Sequence, residues 1–116
     1  MPHFIIEQGN ALLTPEDRRD VMAIAGEVGA ACGFIAAADI KVRICDFADF
    51  LHLDGCRSFI HLTVHLFAGR TAAQKEALTI PLRSALSSRF REVDSLSVVC
   101  RDMDPVSYKK NLRPRG

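Results

Sequence analysis

The chain has 116 residues, of which 48% are hydrophobic, and its formal net charge at pH 7 is +1. This length is close to the commonest domain size, so we expect one domain over residues 1–116 and exclude two independent cores. Lysine and arginine are spread along the chain up to the ending YKKNLRPRG. Without a basic stripe, neither nucleic acid nor a membrane surface is an expected partner.

Signals for export, membrane insertion and disulfide formation are weak in this sequence. No apolar run approaches the roughly 20 residues that cross a bilayer, and the first residues lack the basic and long apolar regions of a signal peptide. We therefore expect a cytoplasmic protein. The cysteines form no CxxC pair, which favours reduced thiols over disulfides or a metal site. They are Cys32, Cys45, Cys56 and Cys100.

The first elements in chain order are a strand and a helix. Residues 2–7 are rich in Phe and Ile and predict a strand. Thr14 is followed by Pro15 and, three residues on, by Asp17, which has the form of a capping box at a helix start. Gly33 is placed to end that helix. Its apolar residues recur at helical spacing and are Val21, Ile24, Ala25, Val28 and Cys32.

Two segments in the middle of the chain alternate with the period of a strand. From Ile40 the apolar residues alternate with Lys41 and Arg43, so the predicted strand has a cationic second face. The dipeptide at 54–55, Asp-Gly, predicts a turn before the next strand. That strand covers residues 59–66 and alternates in the same way.

The last predicted elements are a second helix and a fourth strand. Thr71, with Gln74 three residues on, has the form of a second capping box. Pro81 lies inside the helical pattern and removes a backbone donor, so we expect a kink or a break near Ile80. Residues 96–101 alternate and predict the last strand. The buried stripe of the second helix is Leu78, Leu82, Leu86 and Phe90.

The predicted order is strand-helix-strand twice, with each half long enough for one parallel β-α-β unit. Right-handed crossovers then place both helices on one face of the sheet. The sequence therefore predicts an α/β (α+β) protein in which two consecutive β-α-β units form a four-stranded mixed sheet with two helices on one face. The other face and the sheet edges need cover, which oligomerisation would supply.

Pro2 stands directly behind the initiator methionine, at the head of the first strand. Removal of Met1 is the usual outcome before a proline in the cytoplasm, and it leaves a secondary amine. Free α-amino groups have a pKa of about 7.7 to 8.0, and burial or a nearby cation lowers it. A neutral base near pH 7 is therefore attainable. An ordinary edge-strand proline is the alternative that the position leaves open.

Arg70 is the candidate cation to act beside such a base. Proton removal next to a carbonyl builds negative charge on oxygen, and a fixed cation stabilises that charge. Arg70 directly precedes the second helix, whose first free N–H groups also favour an anion. A solvated arginine is the competing interpretation. His61 and His65 are about 13 Å apart along one strand, too far to share a metal ion.

Several segments of the chain together carry a family resemblance. The chain opens with MPHFIIE, continues with the strand IKVRI, places AGR directly after FIHLTVHLF, and has DPVSYKKN near its end. These segments, in this order and over nearly the whole chain, resemble the 5-carboxymethyl-2-hydroxymuconate Δ-isomerase family of the tautomerase superfamily. The resemblance implies the tautomerase fold and a homotrimer with its sites at subunit interfaces.

The same resemblance implies an activity. Family members are isomerases that need neither cofactor nor metal and move a proton in an unsaturated 2-oxo or 2-hydroxy dicarboxylate such as 5-carboxymethyl-2-hydroxymuconate. The small-molecule partner would then be a carboxylate from aromatic compound degradation. Two alternatives stay open: a catalytically silent trimer that binds small carboxylates, and an enol-keto tautomerase of aryl pyruvates.

The resemblance also assigns residues, position by position. It implies Pro2 as the general base after loss of Met1, and Arg70 as a carboxylate-binding residue. The family's second arginine falls where this chain has Lys41. Lysine lacks the bidentate fork of arginine. Arg43, two residues on and on the same strand face, is therefore a further candidate for substrate binding.

Overall fold

The computed structural model describes residues 1–115, and its elements follow the predicted order. The predicted architecture of two β-α-β units is confirmed. The helices are α1 (Pro15–Ala30) and α2 (Ala72–Arg89), and a 3-10 turn covers Ala37–Asp39. The strands are β1 (His3–Gly9), β2 (Lys41–Asp46), β3 (Phe59–Phe67) and β4 (Ser95–Met103).

The strands form one mixed sheet in the order β2-β1-β3-β4. The pairs β1-β2 and β3-β4 are parallel, whereas the central pair β1-β3 is antiparallel. Both parallel pairs are joined through a helix, and α1 packs against α2 on the same side of the sheet. The register places His3 between Lys41 on β2 and His65 on β3. The start of β1 therefore lies beside the start of β2 and the end of β3.

Both helices begin at the predicted capping boxes. The hydroxyl of Thr14 accepts from the Asp17 N–H at 3.1 Å, and the Asp17 carboxylate accepts from the Thr14 N–H at 3.1 Å. Thr71 and Gln74 make the same reciprocal pair, at 3.1 and 2.9 Å. Each box satisfies two N–H groups that a helix start leaves free, which is worth about 1 kcal/mol per cap.

The core lies between the two helices and one face of the sheet. Gly29 lets α1 approach β1 closely, because a Cβ atom there would come within 2.6 Å of the Phe4 ring. The α2 side of the core is built from longer side chains. The largest fully buried residues are Phe4, Ile6, Val21, Ile60, Leu62, Val64, Leu78, Leu82 and Leu86.

The second helix runs through Pro81 without interruption, so the predicted break near Ile80 does not occur, and the alternative of a kink there stays a prediction. Pro81 and Ala77, whose carbonyl loses its helical donor, are both exposed. Water can therefore bind that carbonyl. Leu78 and Leu82 on the opposite side are fully buried and hold both turns against the sheet.

The chain between α1 and β2 returns to the start of β1. Gly33 has a φ of 95°, a conformation that glycine adopts without strain, and it reverses the direction of the chain shortly after the end of α1. The 3-10 turn then leads directly into β2. The N–H of Lys41 donates to the carbonyl of Pro2 at 3.1 Å, which is the first contact between the two strands.

The sheet face away from the helices carries polar side chains. His61 and Ser97, on neighbouring strands, are hydrogen-bonded at 2.6 Å, and His3 contacts Arg43. Cover of this face by further subunits stays a prediction. Within residues 1–115, neither helix combines the length and the apolar character needed to span a membrane.

Candidate functional site

A cavity of about 230 Å³ lies at the start of β1. It brings together two residues that are far apart in sequence, Pro2 and Arg70. The remaining walls come from the connection between α1 and β2 and from the end of β3. The other lining residues are Met1, Phe34, Ile35, Ala36, Asp39, Leu66 and Phe67.

Pro2 is held by the sheet on which it sits. It is buried, and its carbonyl is bound by the N–H of Lys41. On the other side, the antiparallel pairing of His3 with His65 brings the following residues, Leu66 and Phe67, alongside Pro2. The position of Pro2 is thus fixed by a hydrogen bond from one neighbouring strand and by packing against the other.

Arg70 lies between the end of β3 and the start of α2. Gly69 has a φ of 121°, which lets the chain turn sharply before Arg70. The guanidinium carbon lies 5.0 Å from the centre of the Phe34 ring, within cation–π range. One Nη atom donates to the Phe34 carbonyl at 3.4 Å. Among residues 1–115 no carboxylate is paired with Arg70, so its other N–H groups are available to a ligand.

The amine at the chain terminus enters the same site. The Met1 amine donates to the backbone carbonyl of Asp39 at 3.2 Å, and Lys41 Nζ donates to the same oxygen at 2.9 Å. Partial burial, followed by the hydrogen-bonding and charge effects of Lys41, lowers the pKa of the Met1 amine from 8.0 to about 6. At pH 7 the Met1 amine is therefore mostly in its neutral form.

Arg43 lies elsewhere, on the sheet face away from the helices. It donates to Nδ1 of His3 at 3.1 Å, and the other ring nitrogen of His3 is hydrogen-bonded to the hydroxyl of Tyr108 at 2.9 Å. Partial burial and then the charge of Arg43 lower the pKa of His3. The three side chains line a separate hollow of about 280 Å³. The cavity beside Pro2 in the same protomer does not include Arg43, and its binding role stays a prediction.

Solved structures were found that share this arrangement of strands and helices. A 5-carboxymethyl-2-hydroxymuconate isomerase from Deinococcus radiodurans R1 is 20% identical, with 97% of this chain and 90% of that chain covered and a TM-score of 0.71. A fused 4-OT described as a symmetric trimer is also 20% identical, with 88% and 85% covered and a TM-score of 0.75. The chain has the tautomerase fold.

A third structure with the tautomerase fold is N1, a member of the cis-3-chloroacrylic acid dehalogenase family. It is 19% identical, with 97% of this chain and 83% of that chain covered and a TM-score of 0.72. No protein-family model and no curated protein matches the sequence. The TM-scores establish a shared fold, and at identities this low they establish nothing more than the fold. It is the fold that the sequence segments predicted.

Reasoning from the sequence predicted only Pro2 and Arg70 of the cavity residues, and among those it missed are Phe34 and Asp39. Phe34 lies in an irregular connection and has no periodic pattern around it. Asp39 had a usable signal, because parallel strands start at the same edge of a sheet. Since His3 and Lys41 begin β1 and β2 as paired residues, the residues just before them also lie close together. This pairing places Asp39 beside the amino terminus of the chain.

Two further groups of polar side chains in this protein lie away from Pro2. A cavity of about 370 Å³ lies by residues 10–13 and 89–93, and of its two arginines, Arg89 and Arg91, the first is paired with Asp17 at 2.8 Å. A three-residue group in the connection between β2 and β3 has ligand atoms within 4.8 Å of one another and could hold a metal ion. These residues are His52, Asp54 and Cys56.

Proposed function

We propose that this protein is an isomerase that moves a proton within an unsaturated 2-oxo or 2-hydroxy acid, with the amino group of Pro2 as the base once Met1 has been removed. The observation that carries the proposal is the shared cavity of Pro2 and Arg70. A terminal amine and an unpaired guanidinium that face one small cavity are the two groups that such a proton transfer requires.

The proposed reaction begins with a neutral Pro2 nitrogen. It removes a proton from a carbon atom or an enol oxygen of the substrate, and the electron pair left behind is delocalised onto the carbonyl oxygen as a dienolate. Arg70 stabilises that charge because its guanidinium is fixed before the reaction starts. The protonated Pro2 nitrogen then returns the proton to a different carbon, so that no net proton is gained or lost.

The pKa of the terminal amine supports this role. A general base is most efficient when its pKa lies near the working pH. The Met1 amine has its pKa lowered to about 6 by partial burial and by Lys41. After excision of Met1, the Pro2 amine takes over as the chain terminus, beside the same Lys41 whose N–H binds the Pro2 carbonyl.

Carboxylate binding is assigned first to Arg70, whose planar fork can bind both oxygens of a carboxylate. Lys41 is the second candidate, although its ammonium is engaged by the Asp39 carbonyl at 2.9 Å. A homotrimer with sites at subunit interfaces is also proposed. The fused 4-OT structures described as trimers support it, and so does the polar sheet face with Arg43.

The test combines intact-mass measurement with the rate of ketonisation of a simple 2-hydroxydienoate. The wild-type protein should lack Met1, and Pro2→Ala should reduce kcat by about 10²- to 10⁴-fold, the range for loss of a positioned base. Pro105→Ala, in the exposed segment after β4, is the control and should keep the wild-type rate. A protein without Met1 whose Pro2→Ala variant keeps full rate overturns the proposal.

A further inference from the structure

The connection between β2 and β3 brings together three different metal-binding groups. A ring nitrogen of His52, a carboxylate oxygen of Asp54 and the sulfur of Cys56 all lie within 4.8 Å of one another. The ligands of a tetrahedral zinc ion lie about 3.4 to 3.8 Å apart, given zinc–ligand distances of about 2.0 to 2.3 Å. Side-chain movements of about 1 Å would therefore bring the three atoms around one ion.

A tight turn brings these side chains together. Gly55 has a φ of 89°, which glycine adopts without strain, and its N–H donates to the carbonyl of His52 at 3.1 Å. The Asp54 carboxylate accepts from the N–H of Cys56 at 2.9 Å, which holds that carboxylate beside the thiol. The backbone thus places the three groups near one another before any ion binds.

Aromatic packing holds the imidazole in position. The His52 ring is stacked on Phe59 with the ring centres 5.2 Å apart, and Phe50 meets the two rings edge-on, at 5.5 and 5.0 Å. Both phenyl rings lie against Gly9 at the end of β1, where an added Cβ atom would collide with them. The connection is therefore anchored to the sheet. A ligand held in this way loses less conformational entropy when it binds a metal ion.

The charge around Cys56 also suits a cation. Asp54 is one neighbouring carboxylate, and Asp94 is a second, because it accepts from the N–H of Arg57 at 2.7 Å. Hydrogen bonding to Asp54 raises the pKa of the Cys56 thiol, so the metal-free thiol keeps its proton. A bound metal ion would replace that proton, which passes to the solvent, as in thiolate sites generally.

We propose that His52, Asp54 and Cys56 bind one zinc ion, with the fourth position taken by water, and that this ion braces the connection between β2 and β3. Imidazole, thiolate and carboxylate all bind zinc, whereas Mg²⁺ and Ca²⁺ prefer oxygen ligands alone. The proposal departs from the free thiol that the sequence favoured at Cys56. Three ligands of different types form no CxxC pair, which was the signal sought there.

The zinc site would lie apart from the proposed proton transfer. Its aromatic support packs at Gly9, the last residue of β1, whereas Pro2 directly precedes the first residue of that strand. A strand of this length separates its two ends by about 20 Å. The ion would therefore not contact the Pro2 nitrogen or its substrate.

Calorimetry with ZnCl₂ on the reduced, metal-free full chain measures the binding. The wild-type protein should bind one zinc ion per chain. Cys56→Ser and His52→Ala should each weaken binding at least about 10-fold, which is the loss found when even a group that only orients a ligand is removed. Cys45→Ser, an exposed cysteine of β2 outside the cluster, is the control and should keep the wild-type affinity. Binding that is unchanged in Cys56→Ser overturns the proposal.

Cobalt(II) gives a readout on the wild-type protein that needs no variant to fold. It accepts the same ligands as zinc, and a thiolate bound to it produces a charge-transfer absorption band in the near ultraviolet. The wild-type protein and Cys45→Ser should show this band, and Cys56→Ser should lack it. Wild-type protein without the band in excess CoCl₂ overturns the site. Cys56→Ser should still ketonise a 2-hydroxydienoate at the wild-type rate, so the zinc site and the isomerase activity are tested separately.

Discussion

The two β-α-β halves of the chain have the same order of elements and contribute different parts of the cavity. The first half supplies Pro2 at the start of a strand, together with Phe34 and Asp39 from the connection after its helix. The second half supplies the end of β3 and Arg70, from the connection before its helix. The repeated framework positions the site, and the differing connections carry its charges.

The halves also differ in how their helices pack. The buried residues of α1 are Val21, Ala25 and Gly29, whereas those of α2 are Leu78, Leu82 and Leu86. Small residues let α1 approach the sheet closely, whereas α2 presents longer leucine side chains to it. The fully buried side chains of the second helix are therefore larger than those of the first.

Removal of the charge that the second half contributes should strongly reduce the activity. Arg70→Ala should lower kcat/KM for a 2-hydroxydienoate by about 10²- to 10³-fold, as loss of a fixed charge-stabilising group does in other enzymes. Arg70→Lys keeps the charge and loses the fork, so we expect an intermediate rate. Arg83→Ala, exposed on the helix that follows Arg70, is the control for lost surface charge. An Arg70→Ala rate within twofold of wild type would rule out this role.

The difference in packing should appear in the free energy of unfolding. Leu82→Ala should cost about 2–5 kcal/mol, the range for a leucine truncated in a closed core. Val21→Ala on α1 removes less buried hydrocarbon and should cost about 1–2.5 kcal/mol. Urea unfolding at matched protein concentration measures both values. If Val21→Ala is the more costly change, α1 and not α2 contributes more of the core stability.

The smallest expected effect concerns Lys41, the cation that the first half places beside the chain terminus. Only the neutral amine acts as a base, so kcat/KM should rise with pH through the pKa of the amine and then level off. Lys41 lowers the pKa of the Met1 amine, and we expect the same effect on the Pro2 amine once Met1 is removed. Lys41→Met should therefore raise the pKa and move the rising limb to higher pH, while Lys41→Arg should leave it near the wild-type position. A limb that stays in place in Lys41→Met, or moves to lower pH, contradicts this effect.

Local chemistry made most of the fold predictable. The capping boxes at Thr14 and Thr71 and the alternation around Lys41 depend on residues close in sequence, and the structure confirms them. A break at Pro81 was expected because the cost of a proline inside a helix is local, whereas the burial of Leu78 and Leu82 that offsets this cost comes from packing against the sheet.

The candidate site was less predictable than the fold. The placement of Pro2 and Arg70 in one cavity depends on the antiparallel pairing of β1 with β3, which no single segment encodes. Alternation predicted the strand face of Lys41 and Arg43, but the direction of a long flexible side chain depends on its partners. Lys41 turns back to the Asp39 carbonyl, and Arg43 is bound to His3.

Pro2 keeps its place in the sheet through its carbonyl oxygen, which binds the N–H of Lys41. A proline has no N–H, so its nitrogen makes no hydrogen bond in the sheet that shortening of the chain could break. Within residues 1–115, Met1 adds one hydrogen bond, from its amine to the Asp39 carbonyl. If Met1 is excised as proposed, the Pro2 nitrogen becomes the terminus of a strand that stays paired, so no further backbone has to be ordered to present it.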